Sequence, residues 1–254
     1  MKIGRLSMRR RLVLALLHGL LIGAAAAAAQ TEESPDLAKV DISDYPWSSI
    51  AKLNNSVGGS CTAVAIEQNA VLTAAHCIFN RRTNRFLLPG SLHVLLGYEQ
   101  GKYAVHALVA SYTIGSGYDP SRELATASSD WAILKLVEPL PGEIRPLKFV
   151  DRIPAPGCHL MIGGYALRRL HIMTADMNCQ LLGPVPGSPL IEHNCRVAQG
   201  SSGAPLLIME GDSAVIMGLQ VAVGRRNGAV IMVAVSAPSI VDNLRKLDDV
   251  VPRD

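Results

Sequence analysis

The sequence predicts an all-β protein, on three observations. Between residues 46 and 235, short apolar runs alternate with turn-forming residues. The same region has no long stretch in which apolar residues recur every 3.6 positions, as they would in a helix. Aromatic residues make up only 4% of the chain, so its core must consist mainly of Val, Ile, Leu and Ala. Regular short strands joined by turns favour a barrel or a sandwich.

The first 29 residues predict a secretory signal peptide. Basic residues between Lys2 and Arg11 precede an apolar run, Leu12–Ile22, and an alanine tract that ends at Ala29. This order is typical of a signal cut near Ala29. A transmembrane anchor is the alternative, because the segment approaches spanning length. Since polyalanine is only marginally apolar, we expect a signal, an exported protein (periplasmic or extracellular) and no stable membrane anchor after cleavage.

The charge balance gives no support for a nucleic-acid partner. The whole chain has 24 Lys and Arg against 21 Asp and Glu, a formal net charge of +3. Five of the basic residues and none of the acidic ones lie in the first 29 residues. The remaining 19 basic and 21 acidic residues give a net charge of −2, and such a chain lacks the basic surface that nucleic acid requires.

Residues 30–45 are polar and acidic, which predicts a linker or a short pro-segment, and residues 46–254 form the predicted globular domain. Its first β unit, about 46–140, contains six apolar runs. These are Ser48–Leu53, Cys61–Ile66, Val71–Ala75, Leu92–Leu96, Tyr103–Ala110 and Trp131–Val137. A proline-rich passage, 138–157, then predicts a crossover to a second unit of similar size.

The second β unit, about 155–238, also contains six runs. These are Cys158–Tyr165, Ile172–Ala175, Asn178–Leu182, Leu206–Met209, Ala214–Val223 and Ala229–Val235. Beyond them, Ile240, Leu244 and Leu247 recur at helical spacing, with an acidic residue early and two basic residues late, as the helix dipole favours. The tail therefore predicts a helix over about 239–247.

The hexapeptide GSSGAP, from Gly200 to Pro205, carries the first chemical signal. A serine between glycines on a tight loop places its hydroxyl beside neighbouring backbone N–H groups. Acyl transfer needs this arrangement: a nucleophile next to donors for the oxyanion that forms on attack. Gly-Ser-Ser-Gly is also an ordinary flexible turn, so the hexapeptide alone does not decide between the two.

Two further stretches supply the partners that a nucleophilic Ser202 would need. His76 stands in TAAHC at the end of one predicted strand, and Asp130 opens another in DWAILKL. Imidazole can take the serine proton, and a carboxylate can fix the imidazole tautomer. Taken singly, the aspartate is typical of a strand cap and the histidine of packing, but the three together favour catalysis. The other five histidines of the predicted globular domain lack such a context and are expected to be surface or packing residues: His93, His106, His159, His171 and His193.

The motifs TAAHC, DWAILKL and GSSGAP resemble those of the chymotrypsin/trypsin-like serine proteases, and the resemblance extends from about Pro46 to the C-terminal helix. It implies two six-stranded antiparallel β-barrels with the active site in the cleft between them. It also implies an endopeptidase that acts on proteins or peptides through an acyl-enzyme on Ser202. In that reading His76 is the general base, Asp130 orients it, and the N–H groups of Gly200 and Ser202 form the oxyanion hole.

The sequence departs from the pancreatic enzymes at Ser201, where they have an aspartate that pairs with a newly cut N-terminal ammonium. An Ile-Val-Gly-Gly start is also missing near Pro46, and the two departures agree with each other. The sequence is more similar to the bacterial branch that includes the glutamyl endopeptidases, with GSSG in place of GDSG. Ala204 replaces the second glycine of the usual motif, a change of one methyl group.

The five cysteines favour disulfides, because an exported chain meets an oxidising environment and no Cys/His cluster has zinc spacing. No metal and no cofactor are predicted. The resemblance implies a Cys61–Cys77 bond, since GGSC before TAAHC is the usual family pairing. Cys179 and Cys195 flank a loop that a second bond would close, leaving Cys158 as a free, buried thiol. The sequence leaves all three pairings of these last cysteines open.

The primary specificity pocket in this family is walled by the residues before the nucleophile and by two later strands, here about 194–199, 220–224 and 228–231. None of these segments contains Asp or Glu, so a buried Lys or Arg of a substrate would find no counter-charge. The candidate pocket residues are Arg196, Gln220, Val221 and Val223. We expect poor cleavage after Lys or Arg and a preference for small or medium apolar residues, with acidic residues as the runner-up.

Two functions therefore compete. The first is an exported serine endopeptidase. The second is a catalytically silent secreted binding protein on the same scaffold. Silent relatives normally lose a member of the triad, and none is lost here, so the peptidase is favoured.

Overall fold

Strands dominate the computed structural model, which describes residues 37–169, 171–226 and 228–250. Within these residues the chain forms sixteen strands and one α-helix. The predicted signal peptide, residues 1–29, and residues 30–36 of the predicted linker lie outside the described residues.

The first half of the chain contains nine strands. In order, they are β1 (Ala38–Lys39), β2 (Ile50–Asn55), β3 (Ser60–Glu67), β4 (Ala70–Thr73), β5 (Phe79–Asn80), β6 (Arg85–Phe86), β7 (Leu92–Leu96), β8 (Val105–Ile114) and β9 (Ala132–Leu136). The second half contains β10 (Lys148–Phe149), β11 (His159–Gly164), β12 (Thr174–Pro184), β13 (Leu190–His193), β14 (Pro205–Glu210), β15 (Ser213–Arg226), β16 (Ala229–Ser236) and the helix α1 (Ala237–Val250). Short 3-10 turns occur at Trp47–Ser49, Ala75–Ile78, Pro89–Ser91, Ala127–Ser129 and Leu167–Arg169.

The first barrel closes in the order β2-β3-β4-β9-β8-β7, and every pairing in it is antiparallel. Its strands alternate where one face meets water: on β8, Ala107 and Val109 are buried while His106 and Leu108 are exposed. Aliphatic side chains fill the interior. Those fully buried include Ile50, Leu53, Leu72, Leu92, Leu96 and Leu134.

The second barrel follows the order β12-β11-β14-β15-β16-β13, and a pairing between β12 and β13 closes it. Two short strands lie outside this ring: β1 pairs antiparallel with β12, and β10 pairs parallel with β15. Two six-stranded antiparallel barrels with a C-terminal helix are the fold that the family resemblance implies. That prediction is confirmed.

Two details of the second barrel differ from the predicted runs. The run Asn178–Leu182 and the last two residues of the run Ile172–Ala175 belong to one continuous strand, β12, which begins at Thr174. Buried Asp176 does not break this strand, because backbone N–H groups satisfy its carboxylate. Strand β13 was not predicted. Half of its four residues, Glu192 and His193, are polar, and both are buried against partners that are distant in sequence.

The C-terminal helix α1 packs one face against the second barrel. Ala237 and Ile240 are buried and Leu244 is packed against the core, at the spacing that places side chains on one face. The helix runs two to three residues further at each end than the predicted 239–247. Pro238 is compatible with the earlier start, since proline fits the first turn of a helix.

Part of the predicted linker is described by the structure. Residues 37–45 include β1 and the buried side chain of Val40, and the hydroxyl of Tyr45 donates to the carbonyl of Ala214 at 3.1 Å. This segment therefore contacts the second barrel. Among the described residues, the one α-helix is too short and too polar to cross a membrane.

Two disulfides cross-link segments of the described chain. Cys61 on β3 is bonded to Cys77, and Cys179 on β12 is bonded to Cys195, each pair separated by 16 residues. Cys158 is the free cysteine and is half-buried, where burial was expected. The first bond joins a strand of the first barrel to the turn that carries His76. The second ties β12 to the segment that leads to the hexapeptide.

We expect the two disulfides to differ in their effect on activity. Each closes a loop of similar length, so replacing either pair by alanine should lower the free energy of unfolding by about 3 kcal/mol. The Cys61→Ala/Cys77→Ala variant should also lose activity, because this bond holds the turn of His76, whereas the Cys179→Ala/Cys195→Ala variant should lose less. Urea unfolding and hydrolysis of labelled casein measure the two quantities. Equal losses of activity at matched stability would contradict this prediction.

Candidate active site

His76 and Asp130 are brought together by the pairing of β4 with β9. In this register Thr73 lies opposite Ala132, so the residues just after β4 and just before β9 meet at one end of the first barrel. His76 sits in the 3-10 turn Ala75–Ile78 that follows β4. Asp130 follows the turn Ala127–Ser129 and is 4% exposed.

The Asp130 carboxylate holds both the backbone and the ring of His76. The His76 backbone N–H donates to Oδ1 at 2.9 Å, and His76 Nδ1 lies 2.7 Å from Oδ2. A carboxylate only accepts, so this contact puts the proton on Nδ1 and leaves the lone pair on Nε2. The imidazole is thus in the tautomer that a general base needs.

Opposing effects act on the protonation of His76. Burial lowers the pKa of the imidazole, but the hydrogen bond and negative charge of Asp130, helped by the charge of Glu123, outweigh it. The pKa of His76 is therefore raised above its ordinary value of 6.5. A raised pKa makes the imidazole a stronger base once it is neutral.

The loop that carries Ser202 lies ahead of β14 and begins with a tight turn over residues 198–201. The N–H of Ser201 donates to the carbonyl of Ala198 at 3.0 Å and closes the turn. Gly200, its third residue, has φ +100°, the left-handed value that a type II turn requires and that glycine adopts without strain. Ser202 itself is half-buried and lies just outside the turn.

Two N–H groups in this loop have no acceptor among the described residues. Ser201 N, Gly203 N and Ala204 N all donate to backbone carbonyls, whereas Gly200 N and Ser202 N do not. These are the two groups that the sequence predicts for the oxyanion hole. They are the donors of the loop that remain available to a ligand.

Thr62 and the first disulfide connect the Ser202 loop to the His76 turn. The N–H of Thr62 donates to the carbonyl of Ser202 at 2.9 Å, and its neighbour Cys61 is bonded to Cys77, next to His76. A ring nitrogen of His76 and the two disulfide sulfurs lie within 4.8 Å of one another. Because both sulfurs are in the disulfide, they are not thiolate ligands for a metal. The hydrogen bonds of the described residues do not include one between Ser202 Oγ and His76, a bond that often forms only when substrate is bound.

Two of the four predicted pocket residues are buried, and the other two are exposed. Gln220 and Val221 on β15 are buried, while Val223 and Arg196 are exposed. The backbone N–H of Arg196 donates to Asp176 at 2.9 Å. Arg196 therefore does not lie in the buried part of this region.

His193 was expected to be an ordinary surface or packing residue, and it is fully buried beside the pocket wall. Its Nε2 lies 2.7 Å from Oε1 of Gln220, and its Nδ1 is buried without a partner among the described residues. Burial lowers the pKa of His193 to about 4, so the ring is neutral at neutral pH. No signal in the sequence identifies this pair, because it depends on β13 and β15 lying in the same barrel.

A match to a family model assigns the chain to a protein family. The family model described as Trypsin matches residues 38–181, more than half of the sequence. The chain belongs to the trypsin family. The predicted resemblance is thereby confirmed, and membership makes the protein a serine endopeptidase by class. The matched span contains His76 and Asp130 and ends before Ser202.

A solved structure of a Glu endopeptidase in complex with MPD shares the fold of this trypsin-family chain. The TM-score is 0.71 at 20% sequence identity, over 84% of this chain and 97% of the other. No curated protein sequence gave a match.

The pKa of His76 predicts the acidic limb of a trypsin-family pH profile. Only neutral imidazole accepts a proton, so kcat/KM should rise with pH around a midpoint above 6.5, the ordinary value. Glu123→Gln should lower that midpoint, because the charge of Glu123 raises the pKa of His76. Glu67→Gln, which removes a carboxylate paired with Lys135 on the barrel exterior, is the matched control and should leave it unchanged. A wild-type midpoint below 6.5 would contradict the raised pKa of His76.

Proposed function

We propose that the protein is an exported serine endopeptidase that hydrolyses peptide bonds through an acyl-enzyme on Ser202. The observation that carries the proposal is the pairing of Asp130 with His76 in the tautomer of a general base. Thr62 and the Cys61–Cys77 disulfide connect this pair to a serine loop in which two N–H donors have no acceptor among the described residues. Family membership supports peptide-bond hydrolysis as the reaction. The roles proposed for the individual residues follow from the chemistry of a serine nucleophile with a histidine base and an aspartate partner.

The first half of the reaction forms the acyl-enzyme. Ser202 Oγ attacks the substrate carbonyl carbon while His76 Nε2 takes the hydroxyl proton, and Asp130 stabilises the resulting imidazolium. The carbonyl oxygen becomes an oxyanion and receives hydrogen bonds from Gly200 N and Ser202 N. The imidazolium then gives its proton to the leaving amine, and the C–N bond breaks.

The second half releases the acid product. A water molecule attacks the acyl carbon as His76 takes one of its protons, and the oxyanion again lies at the two N–H groups. Collapse of this intermediate breaks the bond to Ser202 Oγ, which recovers a proton from His76. The serine and imidazole are then regenerated, and one water has been consumed.

Two disulfides and the predicted signal support export. Both bonds lie in the described part of the chain, and such bonds persist in oxidising compartments. We further propose that catalysis requires no buried N-terminal ammonium. Ser201 is 8% exposed, and its neutral hydroxyl has no charge with which to pair such a group.

Replacement of Ser202 separates the peptidase from the silent binding protein. A fluorophosphonate probe should label the wild-type protein, and Ser202→Ala should abolish both labelling and peptide hydrolysis, with a loss of about 10^4-fold or more. The fold should persist, because only a half-buried loop hydroxyl is removed. Ser201→Ala makes the same change one residue earlier and should keep the labelling. A wild-type protein that neither labels nor hydrolyses peptides would favour the binding protein, and full turnover by Ser202→Ala would refute the nucleophile.

The charges around the proposed pocket support the exclusion of basic residues. Two buried carboxylates of the second barrel are already engaged: Asp176 accepts two backbone N–H groups, and Glu192 pairs with Arg226. The buried Gln220 and Val221 leave a wall without charge. His193 is neutral behind this wall, so it provides no cation for an acidic side chain. Small or medium apolar residues therefore remain our first proposal, with acidic residues second.

Digestion of a peptide library tests this pocket assignment. Cuts after small or medium apolar residues should dominate, and cuts after Lys or Arg should be rare, because a buried cation without a partner is costly. The Ser202→Ala protein, digested in parallel, identifies cuts made by contaminants. A digest dominated by cuts after Lys or Arg would overturn the pocket assignment and leave the triad intact.

A further inference from the structure

Thr62, a fully buried residue of β3, contacts the second barrel at three points. Its hydroxyl donates to the carbonyl of Gly200 at 3.2 Å and accepts from the N–H of Tyr165 at 3.0 Å. Its backbone N–H donates to the carbonyl of Ser202 at 2.9 Å. Thr62 of the first barrel thus donates hydrogen bonds to two carbonyls of the Ser202 loop, those of Gly200 and Ser202 on either side of Ser201.

A second hydrogen bond fixes the peptide that precedes Gly200. The N–H of Leu167 donates to the carbonyl of Gln199 at 2.5 Å. Because the C=O and N–H of a trans peptide point in opposite directions, the N–H of Gly200 is directed away from Leu167. This orientation leaves Gly200 N without an acceptor among the described residues, available to a substrate oxygen.

The loop lies directly against the segment that contains Tyr165 and Leu167. A Cβ placed on Gly200 would come within 2.5 Å of the Tyr165 carbonyl oxygen and 2.8 Å of Leu167 N. If the Gln199–Gly200 peptide turned over, its N–H would face the N–H of Leu167 and its carbonyl would enter the donor site. The oxyanion would then meet a carbonyl oxygen instead of a donor.

We propose that Thr62 is a positioning residue for the oxyanion hole. The Thr62 hydroxyl accepts from Tyr165 N and donates to Gly200 O, so it holds the Ser202 loop against the segment that contains Tyr165 and Leu167. In that position the Leu167 N–H binds the Gln199 carbonyl, and the Gly200 N–H is directed at the substrate. This inference rests on the proposed function of Ser202. The threonine takes the place of a charged anchor, since Ser201 cannot form an ion pair.

Thr62→Val removes the hydroxyl at nearly constant volume. It leaves Tyr165 N and Gly200 O unpaired in a buried site, so the loop gains access to conformations in which Gly200 N is turned away. Deleting one oxyanion donor outright lowers kcat by about 10²- to 10³-fold. A donor that is present but misplaced for part of the time should cost less, and we expect kcat to fall about 10- to 100-fold with KM unchanged.

Two variants distinguish positioning from general stability. Thr62→Ser keeps the hydroxyl and should restore kcat close to the wild-type value. Ser49→Ala removes another fully buried hydroxyl that donates to a backbone carbonyl, that of Arg145 at 2.5 Å, and not to the loop of Ser202. It should lower the unfolding midpoint and leave kcat unchanged. The rate of fluorophosphonate labelling should fall in Thr62→Val by the same factor as kcat, because phosphonylation uses the same donors.

Leu167 provides a second pair of variants, which keeps the proposal testable if Thr62→Val fails to fold. Leu167→Pro removes the N–H at the first residue of a 3-10 turn, where the fixed φ of proline is tolerated. Leu167→Ala removes the side chain and keeps the N–H. We expect the proline variant to lose kcat at unchanged KM and the alanine variant to retain it.

The outcomes separate this proposal from the proposed function. Wild-type kcat in folded Thr62→Val, with Ser202→Ala inactive, would overturn the positioning role and leave the peptidase assignment intact. Equal kcat values in Leu167→Pro and Leu167→Ala would also overturn it. Activity in Ser202→Ala would instead refute the proposed function itself.

Discussion

The hydrogen bond from the N–H of Thr62 to the carbonyl of Ser202 joins the two barrels where a base and a nucleophile must meet. His76 and Asp130 belong to the first barrel, and the Ser202 loop belongs to the second. The backbone bond at 2.9 Å joins the Ser202 loop directly to β3, and the Cys61–Cys77 disulfide connects β3 next to Thr62 with the turn that carries His76.

This close approach explains the glycines around the nucleophile better than flexibility does. An added Cβ on Gly203 would lie 2.3 Å from the Thr62 carbonyl oxygen and 2.4 Å from Thr73 Oγ1. On Gly164 it would lie 2.6 Å from Thr62 Oγ1. Gly200 and Gly203 also have positive φ values, +100° and +78°, so their backbone conformation as well as their contacts requires glycine, whereas Gly164 is explained by its contacts alone. Ala204 has no positive φ and its methyl group is accommodated in the core, so the departure from the usual motif is structurally neutral.

The sequence predicts those parts of the structure that depend on local residue patterns. Alternation and turn residues gave most strands, and three short motifs identified His76, Asp130 and Ser202. Strand β13 escaped prediction because Glu192 and His193 are buried only through partners on β15. Thr62 carries no motif at all, because its role depends on two loops that are more than 100 residues away. Non-local contacts of this kind appear only once the barrels are closed.

The hydroxyl anchor proposed at Thr62 differs chemically from the ion pair that the pancreatic enzymes form with an N-terminal ammonium. An N-terminal ammonium has a pKa near 8 and loses its charge on the alkaline side of neutrality, which weakens any loop geometry that depends on it. Neither the Thr62 hydroxyl nor the Leu167 N–H titrates in that range. The orientation of Gly200 N is then independent of pH, while the protonation of His76 is not. In the proposed mechanism, basicity and oxyanion geometry are therefore controlled by separate parts of the site, the first by the Asp130 charge and the second by neutral hydrogen bonds across the barrel interface.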